Sequence, residues 1–127
     1  MREPARILVV DDVPDNVDIL QMRLEAQGYE VVTAPDGLEA LDKIRQLLPD
    51  LVLLDVMMPQ KSGYEVCTRM RERDDWRNIK VIMLSAKGRD AEVSKGLAIG
   101  ADVYVTKPFS TRELMCKIKE LLEQESA

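Results

Sequence analysis

Four apolar runs in this chain end in residues suited to handling a phosphoryl group and the cation that would escort it. Arg6–Val10 leads into the acid pair Asp11 and Asp12, and Leu51–Leu54 leads into Asp55. Lys80–Leu84 leads into Ser85, and Asp102–Thr106 leads into Lys107. Carboxylates that close apolar segments repel one another and are costly to bury unless a positive charge joins them. A hard divalent cation suits such an all-oxygen set. One carboxylate can then act as nucleophile, with the cation and a lysine stabilising the charge spread over the phosphoryl oxygens. A metal also keeps the attacking aspartate ionised beside two other acids. A hydroxyl at Ser85 could donate a hydrogen bond once a phosphoryl oxygen comes within reach, a local event able to bias a two-state element.

The same runs alternate with segments of helical period, the pattern of a parallel sheet covered on both faces. Strands are expected near 6–10, 30–34, 51–55, 80–85 and 102–106. A first helix follows Pro14, with Val17, Leu20 and Leu24 inward and Gly28 as its C-terminal cap. Asp36–Glu39 reads as a capping box for a second helix, with Leu38, Leu41 and Ile44 inward and Pro49 helping to end it. A third helix follows Ser62 and Gly63, with Val66, Cys67 and Met70 on one face, and residues 74–78 read as a polar loop. A fourth, over 90–99, is interrupted by Gly96 and has only a weak stripe of Ala91, Val93, Leu97 and Ala98. Ser110–Glu113 is a second capping-box candidate, opening a last helix with Leu114, Ile118, Leu121 and Leu122 inward. The expected architecture is a single α/β domain of five strand–helix units over residues 1–127, with about 5–123 as its folded core. Right-handed crossovers place helices on both faces, and ligands of such sheets bind outside the carboxyl ends of the strands. All four polar termini fall on that edge.

Composition narrows the function. A length of 127 residues with 46% apolar content suits one compact core. No apolar run approaches the roughly 20 residues needed to span a bilayer. The N-terminus lacks the apolar stretch of a secretory signal, so a cytoplasmic location without membrane insertion is expected. The net charge of −5 argues against direct nucleic-acid binding. The absence of histidine removes serine–histidine triads, most catalytic zinc sites and any phosphohistidine within this chain. A phosphohistidine donor would therefore be another protein. Cys67 and Cys116 fall in separate helices and read as small packing residues, not as a disulfide or zinc site.

Asp11 and Asp12 after two valines, Asp55 followed by Val56, Met57, Met58 and Pro59, then Gly63, Leu84-Ser85-Ala86 and Lys107-Pro108-Phe109 occur in order at proper spacing. This set resembles the receiver domain of bacterial two-component response regulators over essentially the whole chain. The resemblance implies a flavodoxin-like, doubly wound parallel sheet of strand order 2-1-3-4-5. It also implies a phosphorylation-activated switch, not a metabolic enzyme, whose own chemistry is limited to Mg2+-dependent self-phosphorylation and self-dephosphorylation. Asp55 is the implied phosphoacceptor, with Lys107 pairing with it or with its phosphoryl oxygens across a bond to Pro108 expected to be cis. Asp12 and Asp55 are the implied carboxylate ligands of Mg2+, for which Mn2+ can substitute. Asp11 would hold metal-bound water or help position the ion, and the backbone carbonyl of Met57 would complete the protein ligands. Ser85 and Tyr104 match the switch hydroxyl and aromatic positions, and the fourth helix, fifth strand and fifth helix form the implied output surface.

The implied phosphodonor is a sensor histidine kinase or histidine phosphotransfer protein. The implied recipient of the signal is an effector domain or a downstream protein, and the domain is expected as a monomer or a phosphorylation-dependent dimer. Met57 and Lys87 occupy the family positions that flank the path of the attacking water. A thioether neither admits nor orients water, and Lys87 can shield the phosphoryl group as a counter-charge, so slow self-dephosphorylation is expected.

Two readings from other classes compete. A Mg2+-dependent phosphatase of the haloacid-dehalogenase kind also forms an aspartyl phosphate, but its nucleophile ends the first strand in an Asp-x-Asp pattern. Here that strand runs into Asp11-Asp12-Val13-Pro14-Asp15. A flavin carrier shares the topology but needs a hydroxyl- and glycine-rich phosphate loop after the first strand. Acids stand there in this chain and would repel the phosphate.

Overall fold

The structure, a computed structural model, describes residues 4–56, 62–86 and 90–123. Strands β1 (Arg6–Val10), β2 (Glu30–Ala34), β3 (Leu51–Asp55), β4 (Lys80–Ser85) and β5 (Val103–Thr106) pair in parallel in the order β2-β1-β3-β4-β5. Helices α1 (Pro14–Ala26), α2 (Gly37–Leu47), α3 (Gly63–Arg71), α4 (Asp90–Ile99) and α5 (Thr111–Glu123) alternate with the strands, giving a flavodoxin-like α/β fold. β3 is buried along its whole length, and β1 and β4 are buried beyond their first residues. Strands covered on both faces have no polar side to alternate with, which is why they read as continuous apolar runs.

Side chains alternate along each strand and so divide the core in two. Leu8, Val10, Val52, Leu54 and Met83 meet Ala40, Ile44, Val66 and Met70 from α2 and α3. Ile7, Val9, Leu51, Leu53 and Ile82 meet Leu20, Leu24, Leu114 and Ile118 from α1 and α5.

Local chemistry ends the helices largely where the sequence places them. Gly28, at φ +92°, closes α1: its N–H donates to the Glu25 carbonyl and that of Tyr29 to the Leu24 carbonyl, a Schellman arrangement. The Asp36 carboxylate accepts the Glu39 N–H at 2.9 Å, and the Ser110 hydroxyl accepts the Glu113 N–H at 3.3 Å. Ser62 and Glu65 form a reciprocal capping box on α3, a Ser-x-x-Glu signal that was readable in the sequence.

Several expectations need correction. Leu38 is exposed, and the buried face of α2 is Gly37, Ala40 and Ile44, a stripe whose small members leave little hydropathic mark. Residues 74–76 form a short 3-10 turn that buries Trp76, and the Arg73 guanidinium lies 4.5 Å from the centre of its ring. β5 starts at Val103, because the Asp102 carboxylate instead accepts the Val81 N–H at 2.8 Å and pairs with Arg71 at 3.1 Å. Arg71 also donates to the carbonyls of Ile79 and Gly100, tying the end of α3 to the loops around it.

Cys67 is buried, and burial pushes its thiol up to about 11, so it is inert at neutral pH. Cys116 is exposed and is not a packing residue. Gly96 does more than interrupt α4. A Cβ there would stand 2.7 Å from Tyr104 Cδ2 and 2.9 Å from Met83 Sδ, so the glycine is where this helix comes down onto the sheet. No helix among the described residues is long and apolar enough to cross a membrane.

Candidate functional site

Strand register builds the site. Val10 stands opposite Leu54, so the next residues along β1 and β3, Asp11 and Asp55, emerge side by side at the carboxyl edge. Asp55 in turn faces Leu84, and Ser85 faces Thr106. Backbone bonds carry the ladder past the strand ends: Asp11 N–H to Ala34 O, Val56 N–H to Leu84 O, and Lys107 N–H to Ser85 O at 2.7 Å. The loops that carry the polar groups are thereby held by the sheet itself.

Carboxylate oxygens of Asp11, Asp12 and Asp55 all lie within 4.8 Å of one another. Asp11 and Asp55 are buried, at 3% and 5% exposure, while Asp12 is exposed. Asp11 Oδ1 accepts the Val13 N–H at 2.9 Å, which fixes its carboxylate. Lys107 Nζ stands 3.8 Å from Asp11 Oδ2 and 3.9 Å from Asp55 Oδ2, supplying one positive charge to two buried negative ones. The Lys107–Pro108 bond is cis, as the family resemblance implies. The residue that caps α1 is Val13, which makes no side-chain cap, so Asp12 is not spent as a helix cap.

Three acids and one lysine leave the cluster net negative. Oxygens around an octahedral Mg2+ stand roughly 3–4 Å apart, given its short metal–oxygen bonds. The acid cluster is close to that spacing already, and the donor set fits the ion. A groove of about 280 Å3, lined in part by Asp11, Asn16, Leu20, Lys107 and Phe109, opens along one flank of the cluster. Mg2+ is therefore expected to stabilise the protein, because the unfolded chain lacks the cluster. At a tenfold excess over its dissociation constant the gain is about 1.4 kcal/mol. A melting temperature indifferent to Mg2+ would contradict the metal assignment.

Ser85 is fully buried at the end of β4, on the face of the sheet shared by Val81 and Met83. Tyr104 packs against the same core. Met57 and Lys87 lie outside the described residues.

Sequence reasoning included Gly63 only as part of a pattern, and the structure gives it a physical role. A Cβ at this position would stand 2.6 Å from the Asp55 carbonyl oxygen and 2.8 Å from Val56 Cα. α3 thus starts against the backbone of the candidate nucleophile, closer than any side chain allows. Tyr64 and Glu92, which meet across the α3–α4 boundary, were not singled out at all. They lie 28 residues apart, and nothing local connects them.

The model of the response regulator receiver domain matches residues 7–119, and the chain belongs to that family. A curated relative, the phosphate regulon transcriptional regulatory protein PhoB of Rhizobium meliloti, is 45% identical over 119 residues. The match covers 94% of this chain and 52% of that protein, so the chain spans about half the length of this relative. A solved structure described as that of a response regulator from Chloroflexus aurantiacus is 36% identical, with a TM-score of 0.90 over 95% of this chain and 99% of that one. The BeF3-activated DrrB receiver domain is also 36% identical, with a TM-score of 0.85, covering 94% and 98% of the two chains. The chain is thus a receiver domain of the two-component response-regulator family, in general a non-catalytic switch.

Proposed function

We propose that the chain is one receiver domain, with 5–123 as its core, that accepts a phosphoryl group on Asp55 and thereby changes its interaction surface. The observation that carries this reading is the convergence of Asp11, Asp12 and Asp55 within 4.8 Å, with Lys107 Nζ 3.9 Å from Asp55. An Asp55 carboxylate oxygen attacks phosphorus, the bond from phosphorus to the donor imidazole breaks, and the imidazole leaves with the electron pair. Lys107 stabilises the charge on the phosphoryl oxygens, and Asp11 and Asp12 help hold the cation. Mg2+, or Mn2+ in its place, supplies further countercharge when bound by Asp12, Asp55 and the Met57 carbonyl, with Asp11 assisting. Ser85 then donates to a phosphoryl oxygen, and Tyr104 follows inward.

The proposed donor is a sensor histidine kinase or a histidine phosphotransfer protein, whose phosphohistidine lies outside this histidine-free chain. The output passes to an effector domain or a downstream protein, with the receiver monomeric or dimerising on phosphorylation. A cytoplasmic site of action suits such a relay, and the net charge of −5 suits a protein partner better than a nucleic acid. Met57 and Lys87 remain the residues proposed to slow self-dephosphorylation.

Amide exchange tests the switch. Adding beryllofluoride with Mg2+ is expected to alter exchange over α4, β5 and the start of α5. Changes confined to α1 and α2 would contradict the proposed output face.

A further inference from the structure

The Tyr64 hydroxyl, on the first turn of α3, donates to Glu92 Oε2 of α4 at 3.0 Å. Lys95, one turn further along α4, places its Nζ 4.5 Å from the centre of the Tyr64 ring. α3 therefore grips α4 at two points through one side chain. Tyr104 of β5 neighbours the same hydroxyl. Tyr104 in turn lies under α4 at its closest approach to the sheet, where Gly96 leaves room for the ring.

The other end of this chain of contacts is the site. Gly63, the residue before Tyr64, rests on the Asp55 carbonyl, and its N–H donates to the Val56 carbonyl at 3.1 Å. Asp55, Gly63, Tyr64 and Tyr104 thus form a continuous packed path from the candidate nucleophile to the switch aromatic. This path is separate from the one through Ser85. Burial, followed by the neighbouring Tyr104 and the bond to Glu92, raises the Tyr64 pKa well above its usual value, so the phenol remains a donor at any physiological pH.

We infer that Tyr64 is a positioning residue that holds Tyr104 beneath α4 and couples the Asp55 site to the α4–β5 surface. The functional half of this inference rests on the phosphorylation reading above. Phosphoryl binding draws Tyr104 inward, and Tyr64 secures that inward placement through its hydroxyl. Linkage then requires that removing the hydroxyl weaken binding of a phosphoryl mimic, although Tyr64 never touches the mimic.

The test uses the full chain labelled on its tyrosine rings. It has three tyrosines, Tyr29, Tyr64 and Tyr104, so each ring signal can be assigned by elimination. In the mimic-free protein, Tyr64→Phe is expected to move the Tyr104 ring signal while leaving that of Tyr29 in place. With Mg2+ saturating, the same variant is expected to bind beryllofluoride about three- to tenfold more weakly, the scale of one neutral hydrogen bond. Glu92→Ala should shift both readouts in the same direction, which guards against a folding defect peculiar to either variant. Combining Tyr64→Phe with Tyr104→Phe should cost less than the sum of the two single losses.

An unmoved Tyr104 signal in both Tyr64→Phe and Glu92→Ala would overturn the inference. So would unchanged beryllofluoride affinity in a wild type that binds it, or strict additivity of the two tyrosine losses. A wild type that binds no beryllofluoride would instead defeat the reading of Asp55. The mimic-free Tyr104 signal would then decide by itself whether Tyr64 holds that ring.

Discussion

Asp55→Asn is expected to abolish phosphoryl uptake from a small donor such as acetyl phosphate while leaving the fold intact. The amide nearly matches the carboxylate in shape, so the buried strand end is not disturbed sterically. It is a far weaker nucleophile and a poorer cation ligand, so the chemistry goes. Neither neighbouring acid is a ready substitute: Asp11 is fixed by the Val13 N–H, and Asp12 projects into solvent.

In the absence of metal the variant should be as stable as wild type or slightly more so, because one member of a repelling trio is removed. Lys107, already 3.8 Å from Asp11, retains that partner. Intact mass after incubation with acetyl phosphate and Mg2+ checks the claim. Labelling of Asp55→Asn at the wild-type rate would refute it.

Gly63→Ala should be among the most damaging single changes away from the acids. The added Cβ would meet the Asp55 carbonyl oxygen at 2.6 Å and Val56 Cα at 2.8 Å, and both are backbone atoms of a buried strand end that cannot swing aside. Overpacking of this kind costs about 1–3 kcal/mol. For a chain of this length that is a fall of roughly 4–11 °C in melting temperature. Because relief comes from pushing α3 and the Asp55 backbone apart, Mg2+ should also stabilise the variant less than wild type. A melting temperature within about 1 °C of wild type would show that α3 can ride up without cost.

The central strands β1, β3 and β4 were legible because burial on both faces makes them continuous apolar runs, whereas the half-exposed edge strands β2 and β5 carry a weaker signal. The site was legible because its members are strand ends, and a doubly wound sheet gathers those at one edge. What escaped the sequence has a common cause. Leu38 looked inward because leucine signals hydropathy, whereas the true face of α2 runs through Gly37 and Ala40, which hardly signal at all.

Trp76 looked like part of a loop because its neighbours are charged, yet the arginine beside it stacks on the buried ring. Gly96 looked like a defect in α4, because close approach to another element cannot be read from one helix. The contact of Tyr64 with Glu92 and Tyr104 depends on how α3, α4 and β5 are juxtaposed, a tertiary fact with no local periodicity behind it.

The central claim is that Asp55 is the nucleophile of a cation-dependent acid cluster, and chemical mapping of the modified residue tests it most directly. Borohydride reduces an aspartyl phosphate to homoserine, and peptide masses then locate the change. After acetyl phosphate and Mg2+, homoserine is expected at position 55 alone, and none when the metal is chelated. Homoserine at Asp11 or Asp12, or equal conversion of Asp55 without metal, would contradict the account.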